Sequence, residues 1–211
     1  MRPLCVFDLD HTLVRSPLDL PALKVELRAL LAEARVPLPP AADAWTIGDL
    51  IVRGAAGLAQ DAALAARCWD LCAEHEHRAL RDVSREPGAL EALVELRAAG
   101  YPMAVWTNNT RPVAEAALRA CDLESYFGLV VTRDEAPLKP DPGGIRLFEK
   151  AFPERRILVI GDSWVDGAAA RAGGARFIAY GTDPAELARR GVAAEIRLTD
   201  LRTLPAALLG L

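Results

Sequence analysis

Lysine is scarce in this chain. Only Lys24, Lys139 and Lys150 occur, so arginine carries nearly all of the positive charge. With 25 basic against 29 acidic residues the formal net charge is −4 and no basic block stands out, which speaks against a surface built to neutralise nucleic-acid phosphates. Cysteine is sparse too: Cys5, Cys68, Cys72 and Cys121 are too few and too scattered for a disulfide framework. No basic start followed by an apolar stretch marks a signal peptide, so a reduced, cytoplasmic protein is expected. No apolar run approaches the ~20 residues a spanning helix needs, which excludes membrane spanning. Repeats and low-complexity tracts are also missing. What remains is ordinary globular usage, 211 residues at 52% hydrophobic and 26% charged, enough for one domain or one domain with a smaller insertion.

The chain opens with a short apolar run, Pro3 to Phe7, that stops abruptly at Asp8-Leu9-Asp10, as a buried parallel strand does where its end meets solvent. Between residues 16 and 83 the rhythm is helical. Leu20, Leu23, Leu27, Leu30, Leu31 and Ala34 recur at three-to-four spacing behind Asp19 and Pro21, and Pro37, Pro39 and Pro40 end that run. A second helical stretch is expected from Leu58 to Leu80. From Pro87 helices and strands alternate, with strands at Met103–Trp106, Leu129–Thr132, Ile157–Ile160 and Phe177–Tyr180. Such alternation implies an α/β fold, a parallel sheet with helices on both faces, and ligands in such sheets bind beyond the carboxyl ends of the strands.

Four places satisfy that rule: Asp8 to Thr12, Thr107 to Asn109, the loop to Lys139, and Gly161 to Asp166. Taken singly, an aspartate or Thr-Asn after a strand is often just a helix cap. Four in register are harder to dismiss. Clustered carboxylates repel one another and need a cation, and hard oxygen ligands select Mg²⁺ over zinc.

In order and spacing these segments resemble the four motifs of the haloacid dehalogenase superfamily: Asp8-Leu-Asp-His-Thr-Leu13, Thr107-Asn108, Lys139-Pro140 and Gly161-Asp-Ser-Trp-Val-Asp166. The resemblance covers nearly the whole chain. It implies a Rossmann-like core from residues 1–15 and 84–211, and an inserted all-helical cap from 16–83 like that of the phosphoglycolate-phosphatase-like branch. It further implies a cytoplasmic, Mg²⁺-dependent phosphatase acting on a small phosphorylated metabolite through an aspartyl-phosphate. In that scheme Asp8 is the nucleophile, Asp10 the general acid and base, and Lys139 the neutralising cation. Thr107 and Asn108 bind the phosphate, while Asp8, the Leu9 carbonyl, Asp10 and Asp162 surround the metal. Asp166 serves either the metal shell or Lys139. The second aspartate argues for phosphoryl chemistry over dehalogenation; a sugar phosphomutase of the same fold and a non-catalytic binding module stand as alternatives. Nucleic acid and membrane are not expected as partners, and a homodimer is left open.

Other signals divide between site and scaffold. His11 stands where many relatives carry glycine and either contacts substrate or packs its loop. Arg53, glycine-flanked between helical stretches within Thr46 to Gly57, either reaches a substrate anion or is a surface arginine. Cys72 and Arg78 have the bare spacing of a cysteine-phosphatase loop, but Glu74, Glu76 and the absence of glycine oppose an anion there. Cys68, Cys72 and His75 share one helix face and read as structural rather than as a zinc site. His77 reads as solvated.

Overall fold

The computed structural model describes residues 1–41 and 44–210. The chain divides into two compact units, Met1–Ser16 with Asp82–Leu211, and Pro17–Arg81.

The first unit is built on β1 (Leu4–Phe7), whose four residues are all buried, as expected of a strand covered on both faces. A two-residue antiparallel ribbon of β2 (Val14–Arg15) and β3 (Ser84–Arg85) marks where the chain leaves and re-enters this unit. Neither piece alternates long enough to be read as a strand from sequence. Five more strands follow: β4 (Met103–Trp106), β5 (Leu129–Val131), β6 (Ile157–Gly161), β7 (Arg176–Tyr180) and β8 (Ile196–Leu198). The six-stranded sheet runs β5-β4-β1-β6-β7-β8 with every pairing parallel. Successive connections go one way from β1 and then the other, so β1 and β6 flank the switch point where open α/β sheets bind ligands. Leu4, Val6, Trp106, Phe148 and Val159 belong to one buried cluster on this sheet.

The second unit has a core of its own. Helices α1 (Leu20–Glu33), α2 (Ile47–Asp49) and α3 (Ala62–Ala79) surround Leu23, Leu27, Leu31, Leu50, Ile51, Cys68 and Cys72. Asp19 caps α1 through the Ala22 N–H, and the helix ends at Glu33, before the prolines that were expected to stop it. Its buried stripe is Leu23, Leu27 and Leu31, while Leu20 is 44% exposed. Arg53 does not lie between helices. Leu50–Leu58 forms a wide π-type turn continuing α2, closed by the Ala59 N–H on the Gly54 carbonyl at 3.0 Å. Gly54 suits that segment because a Cβ there would stand 3.2 Å from Leu31 Cδ1. Among the described residues no helix is long and apolar enough to cross a membrane.

In the first unit, α4 (Ala89–Ala98), α5 (Arg111–Ala120), α6 (Gly143–Ala151) and α7 (Trp164–Ala172) connect the strands. Gly88, at φ 83, is the residue before α4. β8 and the short α8 (Pro184–Arg189) and α9 (Leu204–Leu208) complete the unit.

Candidate active site

Asp8 continues β1 by one residue, its N–H bonded to the Ile160 carbonyl of β6 at 2.8 Å. Thr107 does the same for β4, against Val131 at 3.0 Å. The sheet therefore delivers both side chains to its carboxyl edge without any special loop. Lys139 arrives from the connection after β5 and is 5% exposed. Its three N–H bonds have three acceptors: Asp8 Oδ1 at 2.6 Å, Asp166 Oδ1 at 2.5 Å and the Trp106 carbonyl at 2.9 Å.

Asn108 explains how Lys139 is held. Its Oδ1 accepts the Lys139 N–H at 2.8 Å and its Nδ2 donates to the Lys139 carbonyl at 3.2 Å. Asp166 sits at the third position of α7 and completes a capping box, with Oδ2 accepting the Ser163 N–H at 3.1 Å. One of its oxygens caps a helix and the other pairs with Lys139.

Asp8, Asp162 and Asp166 each present an oxygen within 4.8 Å of the others. One ammonium faces three carboxylates, and the acidities of Asp8 and Asp162 reflect the shortfall. Burial pushes the Asp8 carboxyl well above its ordinary range against the opposing pull of Lys139. Burial and the Asp166 charge push Asp162 up to about 7. Burial lowers the Lys139 ammonium, but Asp166 and Asp8 outweigh it and hold the group above its usual value. Uncompensated hard-oxygen ligands of this kind fit a divalent cation such as Mg²⁺. Among the described residues no such group forms at Cys68, Cys72 and His75, and the two cysteines lie buried in α3.

One expected ligand is corrected. The Leu9 carbonyl accepts from the Leu13 N–H at 2.9 Å, from Val14 at 3.0 Å and from Thr12 at 3.4 Å. A carbonyl engaged by three donors has no lone pair left for a metal. The Asp10 carbonyl takes no backbone donor among the described residues. Burial also raises the Asp10 carboxyl, opposed by a hydrogen bond from Asn109 and by nearby His11. His11 is exposed and adopts φ 57, the left-handed backbone that makes glycine common at such a position.

Asn109 was not assigned a role from sequence. Its Nδ2 donates to Asp10 Oδ2 at 2.7 Å. The signal was present as a second polar asparagine directly after a buried strand, but no spacing rule assigns it a partner. Arg53 lies in the other unit, its side chain 63% exposed, 3.5 Å from Asp49 and stacked 5.2 Å from the Trp45 ring centre. His77 is exposed, as expected.

Residues 3–174 match the haloacid dehalogenase-like hydrolase family. The chain belongs to that family. The phosphoglycolate phosphatase of Cereibacter sphaeroides is 34% identical over 186 residues, covering 84% of each chain. Another of that name from Rhodobacter capsulatus is 32% identical, covering 85% of this chain and 84% of its own. The crystal structure of a hydrolase from Pseudomonas syringae superposes with a TM-score of 0.70 at 25% identity, over 100% of this chain and 99% of that one. Together with the six-stranded sheet these likenesses make the chain a haloacid dehalogenase-like phosphatase of the phosphoglycolate-phosphatase-like branch.

Proposed function

We propose that this phosphatase hydrolyses a small phosphomonoester through a phosphorylated Asp8, with Mg²⁺ as cofactor. The observation carrying the reading is the buried Lys139–Asp8 contact at 2.6 Å beside a second carboxyl, Asp10, that has its own separate partner. Asp8 attacks phosphorus as the ester P–O bond breaks; the departing oxygen keeps that electron pair and takes the Asp10 proton. Asp10 then removes a proton from water, which attacks the phosphorus and releases inorganic phosphate and free Asp8. Lys139 keeps the Asp8 carboxylate aligned and offsets charge on the phosphoryl oxygens, with the Thr107 hydroxyl and the Asn108 N–H as further donors. Asp8, Asp162 and the Asp10 carbonyl would hold Mg²⁺, which when bound supplies charge neutralisation at the phosphoryl group. Pro17–Arg81 serves in this reading as the helical cap. Since the relatives named above are phosphoglycolate phosphatases, 2-phosphoglycolate leads the substrate list.

The test is phosphate release from a panel of small phosphomonoesters, with Mg²⁺ or with EDTA, for wild type and Asp8→Asn. Release that requires Mg²⁺ and vanishes in Asp8→Asn is the expected result. Isomerised sugar phosphate without free phosphate would replace the reading with a mutase, and turnover surviving in Asp8→Asn would remove Asp8 as nucleophile.

A further inference from the structure

The turn after β4 carries two consecutive asparagines that serve different halves of the site. Asn108 clasps the Lys139 peptide, whereas Asn109, 7% exposed, reaches Asp10 Oδ2. Asn109 is itself pinned on both sides. Its N–H donates to Thr107 Oγ1 at 3.1 Å, and its carbonyl accepts the Arg133 N–H at 3.1 Å. An amide nitrogen donates and cannot accept, so the contact commits Oδ2 of Asp10 as an acceptor. Ser16, nearby, also opposes the upward shift of the Asp10 carboxyl.

We propose that Asn109 is a positioning residue for the reaction. It breaks the equivalence of the two Asp10 oxygens, fixing Oδ2 and leaving Oδ1 to meet the leaving-group oxygen. The Oδ1–H bond breaks as that oxygen takes the electron pair of the P–O bond and the proton. This rests on the proposed roles of Asp8 and Asp10. It goes beyond them in naming the oxygen that works and the side chain that selects it. A misplacement of about 1 Å at such a contact costs on the order of a hundredfold in rate.

Leaving-group dependence separates positioning from general damage. An alkoxide needs a proton to depart, whereas p-nitrophenolate, a weak base, needs little help. Asn109→Ala removes the donor, and Asn109→Asp keeps the shape while replacing the donor by an acceptor. Single-turnover cleavage of 2-phosphoglycolate and of p-nitrophenyl phosphate would be measured with Mg²⁺ for both variants and wild type. The expected result is that the alkyl-to-aryl rate ratio falls about tenfold or more in both variants, with the loss in kcat rather than KM. Equal losses on both substrates would overturn the proposal. If wild type cleaves neither ester, or Asp8→Asn still turns over, the phosphatase reading beneath it fails instead.

Discussion

Lys139 is the best-satisfied charge in the site and Asp162 the least. With all three N–H bonds of Lys139 engaged, the remaining carboxylate charge falls on Asp162, whose carboxyl is pushed up to about 7 by burial and Asp166. An unfolded aspartate titrates near 3.9. Between those values the folded chain holds a proton that the unfolded chain has lost, so without metal the stability falls as pH rises from about 4 through about 7. Asp8 and Asp10 are raised as well and act in the same direction. Urea unfolding across that range with EDTA should show the decline, and Mg²⁺ should flatten it by replacing the proton. Mg²⁺ affinity, followed by calorimetry, should weaken below about pH 7. A stability that rises with pH in EDTA would contradict the charge balance described for the site.

At the scale of elements, strand ends and helix starts do the positioning, and close packing leaves them little freedom. Gly161, the last residue of β6, faces Asp166 at the start of α7: a Cβ there would stand 2.5 Å from Asp166 Oδ2. Gly161→Ala should therefore push Asp166 off the Ser163 N–H and loosen its contact with Lys139. A cost of about 1–3 kcal/mol is expected from such overpacking, together with at least a tenfold loss of turnover. Thermal melts and steady-state rates measured together check both parts. The strands β1, β4 and β6 are legible because each is a continuous buried run followed directly by a polar residue. β8 is not, since three residues with exposed Arg197 between Ile196 and Leu198 carry too little pattern. The wide turn at Leu50–Leu58 is hidden for a different reason, because nine residues are too few for an i→i+5 period to stand out in the apolar spacing.

At the scale of the molecule, each unit has a hydrophobic cluster of its own. The chain leaves the first unit and returns through paired Arg15 and Ser84, so the ends of the excision are already neighbours. A chain in which residues 17–81 are replaced by a short Gly-Ser link should keep the parallel sheet, retaining cooperative unfolding with a smaller urea dependence in proportion to the lost surface. Its turnover of 2-phosphoglycolate should drop sharply if the excised unit excludes water from the site. Non-cooperative unfolding would show that the first unit depends on the second.

The sequence by itself determined the layer architecture, the family and the identity of the chemical groups. Periodicity, buried runs and strand-end polarity are local properties that a linear chain records, and Asp8, Asp10, Thr107, Lys139, Asp162 and Asp166 each follow such a landmark. Only the tertiary structure decided which atom serves which neighbour. The Leu9 carbonyl is consumed by its own turn, Asp166 turns to Lys139, and Asn109 finds Asp10 across 99 positions of sequence. The Asp166 and Asn109 assignments depend on hydrogen-bond distances of about 3 Å between segments far apart in the chain. Spacing along the backbone cannot encode them, because the sheet order that brings the segments together is a property of the packed molecule.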